Sequence, residues 1–167
     1  SAASDVYKRQ VLMLTDEPGF LVGLESEKQG IERAGARLMS TICLSKMPIF
    51  TVVISKVYGV AGQCSHRPTG MFKRICWPSS NWGSMHISGG VTAAYKSEIE
   101  QSNNPEAKKA EIETRLQNIT SPFRTAETTG QNMIDPRETR SHICKFIDQS
   151  QRVLKRQVGT SRFLFLP

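Results

Sequence analysis

The chain has 167 residues, of which 38% are hydrophobic and 22% are charged, and this composition is typical of one globular domain with a hydrophobic core. Its apolar runs fall well short of the roughly 20 residues that span a bilayer, which argues against a membrane protein. The net charge of +7 permits an anionic partner. The basic residues are spread along the chain rather than gathered in one block, so we expect no nucleic-acid binding.

The cysteines and histidines form no recognisable metal site. The four cysteines include no Cys-x-x-Cys pair, and so few scattered cysteines are typical of a reduced, intracellular protein. Cys64 and His66 lie close together, but two potential ligands do not make a zinc site. We therefore expect no bound metal.

The two chain ends differ from the rest of the sequence. Residues 1–10, SAASDVYKRQ, are interpreted as a non-native scar or a disordered leader. Residues 160–167 form an apolar tail whose role the sequence does not indicate. We expect the segment between them, residues 11–159, to form the folded part of the chain.

The first elements in chain order predict a βαβ unit. Val11 to Thr15 is a short apolar strand, and Ile49 to Ser55, IFTVVIS, is dense in β-branched residues. Between them, residues 26–45 carry apolar side chains at helical spacing. Gly30 and Gly35 lie inside this predicted helix at a cost of about 1 kcal/mol each, which indicates close packing on a neighbouring backbone. The two strands should be parallel, with a right-handed crossover.

The remaining elements are shorter. They are a glycine-rich turn at 56–63, a strand from Phe72 to Trp77, an irregular segment at 79–90, helices at 91–100 and 105–118, and a helix that opens at 135–138. Asn104-Pro105 and Asp135-Pro136 each predict a capped helix start, and Glu138 can complete a capping box at the second one. The apolar stripe of the last helix is predicted to comprise Ile143, Phe146, Ile147 and Leu154.

Conventional catalytic groups are missing from the sequence. There is no Gly-x-Ser-x-Gly elbow and no His-Glu-x-x-His, and GVAGQC lacks the Lys-Ser/Thr of a phosphate-binding loop. The three histidines are far apart in sequence and are interpreted as surface or structural residues. Asp16 and Glu17 are interpreted as turn residues rather than as a catalytic pair, and nothing near Cys64 marks it as an activated nucleophile.

Glycine-rich backbone at predicted strand ends is the remaining candidate for chemistry. It occurs at residues 18–23, 58–62 and 89–90. Ligands of open α/β folds bind outside the carboxyl ends of strands, and glycine lets backbone N–H groups approach a ligand closely. Two N–H groups aimed at one oxygen make an oxyanion hole. Tight turns without any ligand are the alternative interpretation.

Several segments of the chain, in the same order along the sequence, resemble the carboxyltransferase subunit of biotin-dependent acyl-CoA carboxylases of the propionyl-, acetyl- or methylcrotonyl-CoA type. DEPGFLVGLESEKQGIERAGARLMSTI resembles its Pro-Gly-Phe-x-x-Gly turn and the following helix. SKVYGVAGQ, WPSSNWGSMHISGG, SPFRTAE and IDPRETR resemble later signatures of the family. The similarity runs in order from about Val11 to Gly159, and the ordered set is far more specific than any one motif.

The resemblance implies an α/β fold of the crotonase-like (ClpP/crotonase) type, a spiral of ββα units. It implies a partial domain, because a full subunit has two such halves and this chain corresponds to the later part of the second. The family assembles as homo-oligomers, with each active site between the first half of one subunit and the second half of another. We therefore expect the missing N-terminal half as a partner, and a cytoplasmic location, or the mitochondrial matrix in a eukaryote.

The reaction implied is transfer of a carboxyl group from carboxybiotin to the α-carbon of an acyl-CoA. Biotin is the cofactor, carried on a biotin carboxyl carrier or biotin carboxylase partner. The family stabilises two anions, the thioester enolate and the biotin ureido oxygen, without a side-chain base. The resemblance thus implies that backbone N–H groups, rather than acidic or basic side chains, are the catalytic groups of this segment.

The family's biotin-side oxyanion donors correspond to the backbone N–H groups of Val60 and Ala61, although the family often has Gly in place of Val60. Gln63 falls near the acyl group, where its identity leaves the acyl preference open. The resemblance assigns cofactor binding to the positions Gly19, Phe20, Gly23, Tyr58, Gly59, Gly62, Gly89 and Gly90.

Other functions stay open. The chain could be a non-catalytic fragment or scaffold of the same fold. It could also belong to a crotonase-type acyl-CoA hydratase or isomerase, an enzyme class that usually needs a carboxylate at the reacting carbon, and no well-placed one stands out in the sequence. A basic nucleic-acid-binding module is disfavoured, because no RNA-binding signature is present. As an isolated fragment, the chain is expected to be inactive.

Overall fold

The computed structural model describes residues 9–63, 68–129 and 131–157. The strands in these ranges are β1 (Val11–Glu17), β2 (Ile49–Tyr58), β3 (Phe72–Cys76), β4 (Asn81–Gly83) and β5 (Asn132–Met133). The helices are α1 (Leu24–Lys28), α2 (Ile31–Cys43), α3 (Gly59–Gln63), α4 (Ile87–Ala94), α5 (Lys96–Glu100), α6 (Pro105–Ile119), α7 (Pro122–Thr129) and α8 (Thr139–Gln157). A short 3₁₀ turn, Pro136–Glu138, precedes α8.

The strands form one sheet with the order β1-β2-β3-β5, and β4 pairs with the end of β2. All of these pairings are parallel. The predicted parallel pairing of the first two strands is therefore confirmed, beginning with Val11 opposite Ile49. The handedness of the crossover between them stays a prediction.

Strands β1 and β2 are longer than predicted because a bulge lets their pairing continue. The register advances four residues along β2, from Val53 to Val57, while β1 advances two. A carboxylate oxygen of Asp16 accepts a hydrogen bond from the backbone N–H of Lys56 inside this bulge, at 3.0 Å. Asp16 therefore has a structural role, since it provides an acceptor for a strand amide at the irregularity.

The crossover is made by two helices, so the prediction of a single helix over residues 26–45 is wrong. Gly30 adopts the left-handed conformation, with φ of 79°, and separates α1 from α2. Gly35 does pack closely, but on a side chain rather than on a backbone. A Cβ atom at Gly35 would lie 2.4 Å from the ring of Phe20, which reaches back from the turn after β1.

The sheet is buried on both faces of β2. On one face, a buried cluster joins the sheet to Phe146 of α8. Its other members are Phe50, Val52, Ile75 and Ile134. The opposite face carries a second cluster: Val53, Val57, Cys76 and Trp82. The predicted stripe of the last helix is correct for Phe146 and Leu154, which are buried, whereas Ile147 is 38% exposed.

The predicted helix caps are present in part. Asn104 accepts a hydrogen bond from the backbone N–H of Ala107 at 3.1 Å, with Pro105 at the first helical position. Asp135 accepts from the backbone N–H of Arg137 at 2.9 Å. This second cap opens the short 3₁₀ turn that runs directly into α8, with Pro136 and Glu138 at the predicted first and third positions. The capping box through the Glu138 side chain stays a prediction.

Two other segments differ from prediction. Residues 79–90, predicted to be irregular, contain β4 and the first turns of α4. The predicted helix at 91–100 is divided between α4 and α5. The predicted leader and tail lie almost entirely outside the described residues. At the margin of the leader, the side-chain amide of Gln10 donates a hydrogen bond to Ser150 Oγ at 2.8 Å.

No helix in the described ranges is both long and apolar enough to cross a membrane.

We predict that replacing Phe146 with Ala lowers the free energy of unfolding by about 3–5 kcal/mol, because the ring is lost from the centre of a closed core. The matched control is Ile147→Ala, one position along the same helix, where the side chain is half exposed and the loss should be well under that value. Urea unfolding in dilute solution, followed by circular dichroism, compares the two. Equal losses would contradict this description of α8.

Candidate functional site

The candidate site begins where the central strand ends. Helix α3 starts directly after β2, with no loop residue between them. Gly59 makes this possible, because its φ of 59° is left-handed and turns the chain within one residue. A Cβ atom at this position would also lie 3.3 Å from the backbone oxygen of Ser84. The glycine-rich turn predicted at 56–63 is therefore a strand end followed by one short helix.

The short helix α3 packs on the strand that it follows. A Cβ atom at Gly62 would lie 2.8 Å from the carbonyl carbon of Val57, which is too close for any side chain. Ala61 is buried and the Val60 side chain is 51% exposed. Glycine at position 62 thus allows α3 to pack closely against β2. The Val60 side chain lies on the exposed side of this helix.

A cleft of about 750 Å³, here called the β2 cleft, opens beside this turn. The lining residues are Met39, Val57, Gly59, Val60, Arg74, Trp82, Gly83, Ser84, Thr125 and Thr128. They come from strands β2, β3 and β4, from the short helix α3 and from helices α2 and α7, and Ser84 directly follows β4. This position agrees with the rule that ligands of parallel sheets bind at the carboxyl ends of strands.

Two residues of the β2 cleft form a cation–π contact, in which an arginine guanidinium lies over a tryptophan ring. The guanidinium carbon of Arg74 lies 4.5 Å from the centroid of the Trp82 ring. Trp82 is buried against Val57 and Cys76, so its ring is a fixed surface for the cation. The sequence analysis assigned no role to either residue. Trp82 lies within the WPSSNWGSMHISGG signature, but nothing in that segment predicts a contact with Arg74 on the preceding strand.

The predicted oxyanion donors are adjacent in sequence, but their side chains line different cavities. Ala61 faces a smaller cavity of about 230 Å³ between β1 and α2, with Met13, Leu38 and Ile42. The two residues thus line separate cavities. Their assignment as donors stays a prediction.

The predicted cofactor-binding positions are not all at the β2 cleft. Gly59 lines it, while Gly19, Phe20 and Gly23 belong to the turn after β1 and do not. Gly89 and Gly90, predicted to follow a strand, lie inside helix α4, which corrects the geometry on which that assignment rested. Gln63 ends α3, and its side chain lies outside the described part of the chain.

A third cavity, of about 270 Å³, lies on the other side of the β2 end. Its lining residues are Tyr58, Asn81, His86, Ile87, Glu113, Gln117 and Thr120. The His86 ring meets the Tyr58 ring edge-on, with centroids 5.8 Å apart. Burial raises the pKa of the Tyr58 hydroxyl, which favours its neutral form. The sequence analysis missed this group because Glu113 is brought to Tyr58 only by the packing of α6.

No three His, Cys, Asp or Glu side chains come together as a possible metal site within residues 9–63, 68–129 and 131–157.

Comparison with known proteins connects this geometry to a family. The sequence profile described as carboxyl transferase domain matches residues 7–158. The methylmalonyl-CoA carboxyltransferase 12S subunit of Propionibacterium freudenreichii subsp. shermanii is 31% identical, over 86% of this chain and 28% of that protein. The propionyl-CoA carboxylase carboxyltransferase subunit of Haloferax mediterranei is also 31% identical, over 83% of this chain and 28% of that protein. The chain therefore spans less than a third of the length of these relatives.

Solved structures match nearly the whole chain. The crystal structure of the transcarboxylase 12S hexamer, with methylmalonyl-coenzyme A and methylmalonic acid bound, has a TM-score of 0.77 at 28% identity and covers 98% of this chain and 31% of that one. The beta subunit of P. aeruginosa geranyl-CoA carboxylase has a TM-score of 0.81 over 99% of this chain and 33% of that one, and its 19% identity supports the fold alone.

The predicted crotonase-like fold, with its α/β architecture and parallel sheet, is therefore confirmed. The chain belongs to the carboxyl transferase domain family, and its relatives include the carboxyltransferase subunit of a propionyl-CoA carboxylase and the beta5 subunit of a biotin-dependent acetyl-/propionyl-coenzyme A carboxylase.

Proposed function

We propose that the protein containing this chain transfers a carboxyl group from carboxybiotin, held on a partner protein or domain, to the α-carbon of an acyl-CoA. One observation carries the proposal. In a chain that matches the carboxyl transferase domain over residues 7–158, the strand β2 ends at a left-handed Gly59, beside an open cleft of about 750 Å³. A rigid turn of this kind at a strand end is suited to presenting backbone N–H groups to a ligand.

The residues around the β2 cleft fit a biotin ring. Val57, Val60, Met39 and the Trp82 ring offer apolar contact, and the glycine turn brings polar backbone close to the same space. A ring with one polar ureido oxygen needs this combination of apolar walls and a few placed donors. Biotin supplies the activated carboxyl group when it is bound.

In this proposal the chain contributes donors rather than an acid or a base. The backbone N–H groups of Val60 and Ala61 hold the ureido oxygen and stabilise the negative charge that develops on it. Gly59 and Gly62 keep the turn in place, because one adopts a left-handed conformation and the other allows contact with β2. Stabilisation by preorganised donors is often the largest single catalytic effect, so the absence of an activated side chain is no obstacle.

The proposal includes partners outside the chain. The relatives are more than three times longer than the matched segment, and the related 12S structure is a hexamer with methylmalonyl-coenzyme A bound. We propose that an N-terminal half absent from this chain binds most of the acyl-CoA, and that a second subunit and a biotin carrier complete the site. Gln63, at the end of α3, would then lie near the acyl group.

A crotonase-type hydratase or isomerase is the second candidate. The cavity beside Tyr58 favours it, since Glu113 lines that cavity together with His86, Asn81 and Gln117. A carboxylate next to polar side chains can serve as the general acid or base that hydration or isomerisation of an acyl-CoA requires. A carboxylate oxygen of Glu113 also lies 4.0 Å from Lys109 Nζ on the same helix. The alternative to a catalytic role for Glu113 is therefore a structural one, as half of this ion pair.

We predict that Ala61→Pro, made in a full-length subunit carrying this segment, lowers the turnover of carboxyl transfer by about 10²–10³-fold, because proline removes one N–H donor. Circular dichroism and the oligomer size must match the wild type, since proline can also distort α3. The control is Cys64→Ser, at a residue outside the described ranges, which should leave turnover within a few-fold. A folded Ala61→Pro enzyme with normal turnover would move the chemistry away from the backbone.

Glu113→Gln separates the two candidate functions. We expect carboxyl transfer in the full-length subunit to stay within a few-fold, because the proposed mechanism uses no carboxylate from this segment. Hydration of an enoyl-CoA such as crotonyl-CoA is measured in parallel. If the wild type hydrates this substrate and the variant does not, the second candidate function replaces the first.

We predict that the isolated 167-residue chain has no carboxyltransferase activity and self-associates. On the edge strand β1, Leu12 is 47% exposed and Leu14 is 61% exposed. In the turn that follows, Val22 is 88% exposed. Apolar surface beside an unpaired strand edge favours aggregation. Size-exclusion chromatography with light scattering, and an assay of propionyl-CoA carboxylation from carboxybiotin, test this. A monodisperse, active chain would refute it.

A further inference from the structure

Arg74, which lies against Trp82, is the residue of the β2 cleft to which the proposed function gives no role. Arg74 lies on β3, opposite Thr51 of β2, and Trp82 lies on β4, opposite Val57. The guanidinium carbon is 4.5 Å from the centroid of the indole ring. Two different strands therefore bring the cation and the ring together at the wall of one cleft.

The ring contact restricts how the guanidinium can bind anything else. Trp82 is only 8% exposed and packs with Val57 and Cys76, so the ring cannot move easily. A guanidinium over the face of a ring uses its own face for that contact, and its N–H donors lie in the plane at its edge. Five N–H donors also allow one arginine to contact the protein and a ligand at the same time.

The charge of the cleft favours an anion. Among the described residues that line the β2 cleft, Arg74 is the one that carries a full charge, and none is acidic. The remaining lining groups are glycines, apolar side chains, Ser84 and two threonines of α7. A planar cation on a largely apolar wall is suited to a carboxylate, which an arginine can bind through two parallel hydrogen bonds.

We propose that Arg74, held against Trp82, binds the carboxylate of the carboxylated acyl-CoA and thereby distinguishes it from the uncarboxylated one. This inference rests on the proposed function, and it adds a side chain at the same cleft that recognises the carboxylate of the substrate. Gly59 and Val60 line that cleft as well, so the carboxylate is held next to the turn assigned to biotin.

The proposed contact belongs to the bound ground state. When the bond between the carboxyl carbon and the acyl α-carbon breaks, its electron pair stays on the α-carbon as the enolate, and the carboxylate becomes neutral carbon dioxide. Arg74 then loses its anionic partner. An interaction that weakens on the way to the transition state tightens substrate binding without accelerating the reaction. Loss of Arg74 should therefore raise KM for the carboxylated substrate without lowering kcat.

The phosphates of coenzyme A are the other source of an anion for the same arginine. Methylmalonyl-CoA, propionyl-CoA and coenzyme A carry the same phosphates, and only the first carries the carboxylate. The difference between the first two ligands thus isolates the carboxylate contact.

The experiment measures the dissociation constants of methylmalonyl-CoA, propionyl-CoA and coenzyme A by calorimetry, with the full-length subunit carrying this segment. Arg74→Gln should weaken methylmalonyl-CoA binding about tenfold or more and change propionyl-CoA binding less than twofold. Arg74→Lys keeps the charge but lacks the planar donor pair, so it should recover part of the loss. Trp82→Phe leaves a smaller ring under the cation and should give an intermediate loss.

Arg115→Gln is the matched control. Its guanidinium carbon also lies over an aromatic ring, 5.8 Å from the centroid of Tyr95, but it does not line the β2 cleft. Circular dichroism and the oligomer size of every variant are compared with those of the wild type. In the same proteins, KM and kcat for transfer of the carboxyl group from methylmalonyl-CoA to biotin provide a second readout, in which KM should rise and kcat should not fall.

Different failures have different meanings. If Arg74→Gln weakens all three ligands equally, the arginine binds a phosphate and the inference is overturned, while the proposed function stands. If the folded variant binds methylmalonyl-CoA as tightly as the wild type, the inference is overturned in the same way. If the wild type binds neither acyl-CoA, the proposed function itself fails, and the inference fails with it.

Discussion

Burial of the strand β2 on both faces is the constraint on which the rest of the structure depends. Its residues from Ile49 to Val53 are almost completely enclosed. β1 pairs with it along nearly its whole length, while β3 and β4 pair with its first and last parts. This strand is followed directly by a helix, without a loop. The chain leaves it through the left-handed Gly59 and the tightly packed α3.

The same strand end divides the space around it. Val57 contributes to the β2 cleft, and the next residue, Tyr58, contributes to the smaller cavity with His86 and Glu113. Successive side chains of a strand point to opposite faces, so one strand end serves two cavities of different chemistry. The first is apolar with a single cation, and the second is polar with a carboxylate. This difference makes carboxyl transfer and acid–base chemistry distinguishable by single substitutions.

Within the part of the chain that the structure describes, β1 pairs with β2 alone, and this is the other consequence of the arrangement. β2 is protected on both edges, whereas β1 ends the sheet and leaves Leu12 and Leu14 exposed. Relatives that match this chain over less than a third of their length contain much more structure. Exposed apolar side chains on an edge strand are typical of a surface that another part of a protein covers.

The sequence by itself determined the class of fold and the family. The β-branched run of β2, the helical spacing before it and the Asn104 and Asp135 caps are local signals, because each depends on residues close together in the chain. The tertiary structure decided what depends on distant residues. It placed the Phe20 ring against Gly35, brought Glu113 to the cavity beside Tyr58, and packed Arg74 of one strand onto Trp82 of another. Such contacts follow from how strands and helices pack, and no local pattern contains them.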